Sequence, residues 1–463
     1  MKAALSRNTI ILTISNIGGA ALSFLLIVLI GRALGERSLG VYAVALAWVY
    51  PLNLLVEFGM GTLMMRDLAA RPATTPDYLR LVVALRLIMG GAVTAALLAA
   101  APLISHDPAI VAGLHVSAPM VIILPLYSTF TAVFRAREAM LPVMWLNLGM
   151  LAAQVALTWA LLSAGGDVVG ALVINTVTSA GQLVAAWAWY RVRYVPRIER
   201  SAALAMEASG LSSPEVKTPG FRKAKPTKGA ERPSCGISPF SGLGRWQTSF
   251  ARQHGGFNLW RWLANEQVVL LLRRAAPFAL AGIFAALQGR LTLILLESYT
   301  AEAGYFTAAN RFVEAARLLP NAFFGALFPA LAGLALDRAR MAATFARAQR
   351  ALAAFGLVSA AALIVLGGWL LPVVFGQTFA PAAPVLQMLA LSLLPFGLRG
   401  ARTIYWYAIG GERYVNWVNG AVLALQLGLG LWLIPRYGAG GAALSVALVE
   451  SAALALLWRR VRQ

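Results

Sequence analysis

Residues 308 to 324 read AANRFVEAARLLPNAFF, an apolar stretch that nonetheless carries Arg311, Glu314 and Arg317. On a helix of about 3.6 residues per turn, a spacing of three rotates successive side chains by about 300°, so all three fall within an arc of about 120°. Asn310 lies at the edge of that arc. Guanidinium forks match carboxylate and phosphate oxygens, and Glu314 can bridge both arginines while the face as a whole stays cationic. A helix lining a water-filled cavity for an anion has this pattern. The competing reading makes 302–317 a separate amphipathic helix outside the bilayer, with the span beginning near Leu318. A second cation, Arg290, stands inside FALAGIFAALQGRLTLILLE, two residues after Gln288. An ionised group at the middle of a membrane helix costs about 2.5–3.5 kcal/mol on insertion scales, so such a residue is expected to face a cavity or a partner.

The acids of the apolar regions are Glu57, Glu297, Glu314 and Glu450. Glu57, Glu314 and Glu450 are the candidates for ion coupling or for structural ion pairs, whereas Glu297 lies near a helix end where reaching water costs little. Three histidines, at 106, 115 and 254, are far apart, and Cys235 is the single cysteine. No metal cluster, cofactor site or internal disulfide is expected from these. The intervening loops are short, and no paired carboxylates occur at a spacing suited to glycosyl transfer. The chain therefore reads as a transporter and not an enzyme.

The elements that must hold these groups are membrane helices. The 463-residue chain is 59% hydrophobic and only 12% charged, against roughly 25% charged in ordinary soluble domains. Apolar runs long enough for about 30 Å of hydrocarbon are expected at 8–30, 40–63, 81–104, 110–133, 140–163 and 168–190. A second series follows at 275–298, 304–336, 349–371, 380–400, 414–434 and 438–458. The fold class is thus all-α and polytopic, with about twelve transmembrane helices. The first run is too long for a signal-peptide core and lacks a cleavage site, so it is expected to stay as a span.

The formal charge of +21 is explained by topology. Alternate threading places Arg66, Arg71, Arg80, Arg86, Arg135, Arg137, Arg338, Arg340, Arg347, Arg350, Arg399, Arg402, Arg413 and both chain ends on one side. Only Arg32, Arg37 and Arg436 reach the other. The basic side is expected to be cytoplasmic, with both termini, in a cell membrane. Nucleic acid is not expected as a partner.

Residues 191–268 are rich in Ser, Pro, Gly and Lys without apolar periodicity, as in SGLSSPEVKTPGFRKAKPTKGAERPSCGISPF. They read as a basic, flexible cytoplasmic linker able to meet anionic membrane lipids, ending in an interfacial helix around Trp260 and Trp262. The linker separates a lobe of six spans at 1–190 from another at 269–463. LGVYAVALAW at 39–48 overlays AGYFTAANRF at 303–312, with Gly40 on Gly304, Tyr42 on Phe306 and Ala45 on Ala309. Duplicated six-helix halves place a transport site between them.

Two segments carry a family resemblance: IGRALGERSLGVYAVALAWVYPLNLLVEFGMGTLMMRDLA, residues 30–69, and GRLTLILLESYTAEAGYFTAANRFVEA, residues 289–315. They resemble the oligosaccharide flippases of O-antigen and capsular polysaccharide export, within the superfamily that includes multidrug and toxic compound extrusion (MATE) proteins. The two segments cover under a fifth of the chain. The resemblance implies two lobes around a cationic cavity and alternating access. It further implies that a polyprenyl-diphosphate-linked oligosaccharide is carried from the inner to the outer leaflet, alone or beside other polysaccharide-assembly proteins. Carried over by position, Arg290 and Arg311 are the leading diphosphate contacts, followed by Asn310 and Arg317, with Gln288 beside them. Arg32 and Arg66 match pattern positions at helix ends, as gate or helix-orienting residues. Where the family pattern commonly has an aspartate, this chain has Thr292, which removes one candidate for ion coupling. The uncharged first helix differs from the lipid II flippase branch, and the cationic bias differs from drug extruders that bind cations through acids; a cation or drug antiporter is the alternative.

Overall fold

The computed structural model describes residues 2–70, 75–194, 266–334 and 337–459. The expected linker and its interfacial helix lie almost wholly outside the described residues. Among the described residues the chain is helical throughout, with no strand, as required of a lipid-embedded chain whose backbone polar groups must be satisfied internally.

The first set of helices is α1 (Lys2–Glu57), α2 (Met60–Ala70), α3 (Thr75–Ile104), α4 (Pro108–Ser117), α5 (Met120–Ala136), α6 (Met140–Ser163) and α7 (Val168–Arg193). The second is α8 (Glu266–Leu295), α9 (Thr300–Ala332), α10 (Arg338–Phe375), a 3-10 turn (Gln377–Ala382), α11 (Ala383–Ala390), α12 (Leu393–Ala408) and α13 (Glu412–Arg459). Nine helical stretches among the described residues are long and apolar enough to cross a membrane. Two of them, Ile11–Ala70 and Glu412–Trp458, run to 60 and 47 residues, more than one crossing of about 20 residues needs. With two crossings in each, and with α8 added, the layout fits twelve spans.

The expected loop at Gly35–Ser38 and the one at Pro435–Ala439 are nearly absent. Instead α1 kinks at Gly35 (φ 79°, ψ −176°) and α13 at Gly438 (φ 52°, ψ −131°). These are conformations open to glycine, and helix-compatible residues on both sides let the hydrogen-bond ladder restart at once. At the second kink, the Glu302 carboxylate accepts from the Ala439 N–H at 2.8 Å. Conventional caps start other helices: Asp107 accepts from the Ala109 N–H and Asp167 from the Gly170 N–H, both at 2.9 Å, which satisfies amides that a helix start leaves unpaired.

Contacts between the two sets run mainly through α1 with α8 and α9, and through α2 with α8. At the short-loop end the α1–α9 crossing is so tight that a Cβ on Gly40 would lie 1.7 Å from the Thr300 carbonyl oxygen, and one on Gly304 would lie 1.9 Å from that of Glu36. Beside it Phe24, Tyr305, Phe312, Phe375 and Phe379 form a chain of ring contacts at 5.2–6.4 Å between centroids. Arg32 donates from Nη2 to the Val373 carbonyl at 3.1 Å, tying α1 to α10. At the opposite, basic end, Arg274 of α8 meets Asp67 of α2 at 3.2 Å. There Val268, Leu271 and Ala275 join the core formed by Met60, Met64 and Phe134. The polar segment 302–317 is the first half of the continuous helix α9, with Ala303, Gly304, Phe306, Ala308, Ala309 and Val313 buried; it is not a separate surface helix.

Candidate functional site

Four helices of the second set, α8, α9, α12 and α13, enclose a cavity of about 440 Å³. The i, i+3 and i+4 spacing on α9 turns Asn310, Glu314 and Arg317 into it. From α8 come Gln288, Arg290 and Thr292, from α12 Phe396, Arg399 and Thr403, and from α13 Gln426 and Glu450. A second cavity of about 160 Å³ lies against it toward the first set, lined by Ser23, Tyr42, Tyr50, Gln154, Asn175, Ser179, Thr307 and Arg311. Arg290, Leu293, Asn310 and Glu314 line both.

The charges are paired unequally. Glu314 accepts from Asn310 Nδ2 at 2.9 Å and from Arg311 Nη1 at 2.8 Å. Arg317, also expected to pair with Glu314, instead donates from Nη2 to Ser392 Oγ at 2.9 Å and lies over the Phe396 ring at 4.4 Å. One turn of α9 carries Arg317 past Glu314 toward α12. Its Nε is buried without a hydrogen-bond partner among the described residues. Arg290 lies over the Tyr50 ring, 4.8 Å from its centroid, with no carboxylate within ion-pair distance among the described residues. Arg399 and Glu450 pair at 2.9 Å. Four arginines thus face two glutamates around the joined cavities.

The smaller cavity is amphiphilic. The Tyr42 hydroxyl accepts from Gln154 Nε2 at 3.2 Å and from Asn175 Nδ2 at 3.4 Å. Two further amides of the first set of helices, Asn147 and Gln182, bond to each other at 3.0 Å, and Asn147 accepts from the Tyr127 hydroxyl at 2.6 Å. They join helices and do not line either cavity, as isolated amides in membrane helices commonly do. Aromatic rings with fixed amides and hydroxyls suit hydrogen-bonding ligands.

All five expected contact residues, Gln288, Arg290, Asn310, Arg311 and Arg317, border these cavities, as do Glu314 and Glu450. Glu57 does not. It lies where α1 breaks, before Phe58 (φ 43°) and Gly59 (φ 65°), and accepts from Ser128 Oγ at 2.6 Å. Its cation is Arg86, fully buried, 3.8 Å from Glu57 and bonded to Thr129 Oγ1 at 2.5 Å and to the Pro125 carbonyl. Arg66 pairs with its neighbour Asp67 at 3.3 Å, away from the cavities. Thr292, in place of the family aspartate, accepts from Gln426 Nε2 at 3.0 Å.

Two arginines that charge counting assigned to the basic side, near the ends of the expected spans 81–104 and 380–400, lie inside the bundle. Arg86 sits within α3, and Arg399 sits within α12, in the second half of the crossing Gln377–Ala408, which extends past the expected end at 400. The signal for Arg399 was its surroundings: LLPFGLRGARTIYWYA resumes apolar and aromatic character after the charges, as a helix with one polar face does. Among the described residues no three His, Cys, Asp or Glu side chains converge as a metal site would need.

Residues 5–209 match the family model described as polysaccharide biosynthesis protein. No curated protein matches the chain. Solved structures agree in fold at low identity. An inward-facing multidrug resistance MATE family transporter of the MOP superfamily superposes with a TM-score of 0.71 at 13% identity, covering 96% of this chain and 94% of that one. The lipid II flippase MurJ, in an inward closed conformation, gives 0.69 at 13%, covering 98% and 88%. A MOP superfamily transporter from Pyrococcus furiosus, described as having a binding pocket of reverse polarity that suggests a different function, gives 0.59 at 13%, covering 99% and 95%. The chain is therefore a multi-pass membrane protein with the MOP transporter fold, and its first set of helices carries the sequence pattern of the polysaccharide biosynthesis protein family.

Proposed function

We propose that the protein is a secondary transporter that flips a polyprenyl-diphosphate-linked oligosaccharide from the cytoplasmic to the outer leaflet for cell-surface polysaccharide assembly. The observation that carries this reading is the cationic bias of the joined cavities, Arg290, Arg311, Arg317 and Arg399 against Glu314 and Glu450, in a chain whose first half matches the polysaccharide biosynthesis family. Arginine forks suit phosphate oxygens, and Tyr42, Tyr50, Gln154 and Asn175 offer the stacking and hydrogen bonds that sugars take. The two sets of helices act as lobes, 1–190 and 269–463, joined by the cytoplasmic segment 191–268. The basic end faces the cytoplasm and the short-loop end the outside. The glycine crossing and aromatic chain pack the short-loop end tightly, which supports a cycle in which the cavity exchanges with the cytoplasmic side first.

The test is reconstitution into liposomes with a fluorescent polyprenyl-diphosphate oligosaccharide, following its accessibility in each leaflet. The unmodified protein is expected to translocate it, and Arg290→Ala with Arg311→Ala to lose at least about tenfold in rate, the loss expected for removing charge-assisted contacts of about 1.5–3 kcal/mol each. Translocation unaffected by these changes would return the two arginines to structural duty. No translocation, with export of an organic cation dependent on Glu314 or Glu450, would establish the antiporter instead.

A further inference from the structure

Arg399 is the cation of the larger cavity that has a carboxylate of its own. Its Nη1 donates to Glu450 Oε2 at 2.9 Å and its Nη2 to Asn419 Oδ1 at 3.3 Å. The Arg399 and Glu450 side chains are only 16% and 10% exposed. A pair this dry is an expensive way to join two helices, because desolvation offsets most of the attraction and apolar packing does the same work. This one also opens onto a cavity shared with Arg290, whose guanidinium lies over the Tyr50 ring and has no ion pair among the described residues, and Arg317, whose Nε is buried without a hydrogen-bond partner among the described residues. The charged groups that share the cavity with Glu450 are Arg399 on α12, Arg317 and Glu314 on α9 and Arg290 on α8.

We propose that Glu450 is a built-in counter-anion. It holds Arg399 while no anion is bound and yields it to a phosphate group of the ligand, so that Arg399 joins Arg290 and Arg317 as the third cation of a diphosphate site lying within α8, α9, α12 and α13. The choice of a diphosphate rests on the flippase reading above; the anion site itself is argued from the geometry alone. The remaining part of such a ligand extends past Asn310 and Glu314 into the smaller, tyrosine- and amide-lined cavity. In this arrangement Glu450 sets affinity by competition: it keeps the arginine oriented, and it returns when the ligand leaves.

The experiment is calorimetric titration of inorganic pyrophosphate into the full-length protein in nanodiscs, with Arg399→Ala, Glu450→Gln and the double variant. Glutamine keeps an acceptor for Arg399 without the charge, so folding is preserved in the variant that decides the matter. Removing the competing carboxylate in Glu450→Gln is expected to tighten pyrophosphate about tenfold, and Arg399→Ala to weaken it about tenfold, the scale of one close charge contact across a partly desolvated site. The double variant should bind like Arg399→Ala, because Glu450 acts through that arginine. Equal or weaker binding in Glu450→Gln, or no pyrophosphate binding in either the unmodified protein or Glu450→Gln, overturns the proposal. The liposome assay separates this from the flippase reading. Translocation that persists while Glu450→Gln fails to tighten pyrophosphate rejects the counter-anion alone. Tightened pyrophosphate without translocation of any lipid-linked glycan keeps the anion site and rejects the flippase.

Discussion

The polar side chains of the bundle divide by what surrounds them. Tyr42 is buried, with its hydroxyl shared between Gln154 and Asn175; replacing it with Phe leaves two buried amides short of an acceptor. Tyr42→Phe is expected to cost about 1–3 kcal/mol, the penalty of unsatisfied buried polar groups, read as a lowered thermal midpoint in detergent. Tyr50→Leu acts differently, since it removes only the ring beneath Arg290. A loss of about 0.5–2 kcal/mol in ligand binding is expected, the range for a cation over an aromatic face, with the thermal midpoint largely kept. The charges of α9 were legible from their spacing alone because a helix period fixes which residues share a face. Their pairing was not, because whether Arg317 reaches Glu314 or Ser392 depends on where α12 passes, and no local rule specifies that.

At the scale of elements, hydropathy located the crossings because about 20 apolar residues are needed wherever a helix meets lipid. It placed their ends poorly. Arg86 and Arg399 fall near the basic-side ends of the expected spans 81–104 and 380–400, whereas the helices run on beyond both, α3 from Thr75 and the crossing Gln377–Ala408 past residue 400. Hydropathy also set connections of several residues at Gly35 and Gly438, where the structure passes from one helix to the next through a single non-helical glycine. The two segments overlaid in the sequence, 39–48 and 303–312, pack against each other, and their matched glycines meet at the α1–α9 crossing. Gly40→Ala is expected to destabilise by about 1–3 kcal/mol or more, the cost of overpacking, because its methyl group would fall on the Thr300 carbonyl. Gly91→Ala, which would meet nothing within 4 Å, is the control and should stay within about 0.5 kcal/mol. Chemical denaturation of the two variants side by side checks the pair.

Over the whole molecule, the two sets of helices are held together at both ends by unlike means. The short-loop end relies on backbone contact and aromatic rings, the basic end on Asp67 with Arg274 above a small apolar core. A partly exposed ion pair contributes about 1 kcal/mol or less, so the basic end is the easier to release. Asp67→Asn is expected to raise access to the cavity from that end by up to about fivefold. In a Cys235→Ser background, labelling of Thr403→Cys by an impermeant thiol reagent measures it, with no matching change expected from the other end. The glycine crossing has a consequence for how sequence change can spread through the protein. Every atom that a methyl group on Gly40 or Gly304 would strike within 3.1 Å belongs to backbone, so no neighbouring side chain can be trimmed to make room. A selection for second-site suppressors of Gly40→Ala should therefore return no compensating change at residue 300 or 304. Suppressors should instead map to α8, α10 and the rest of α1, at positions that let the two helices part along their length.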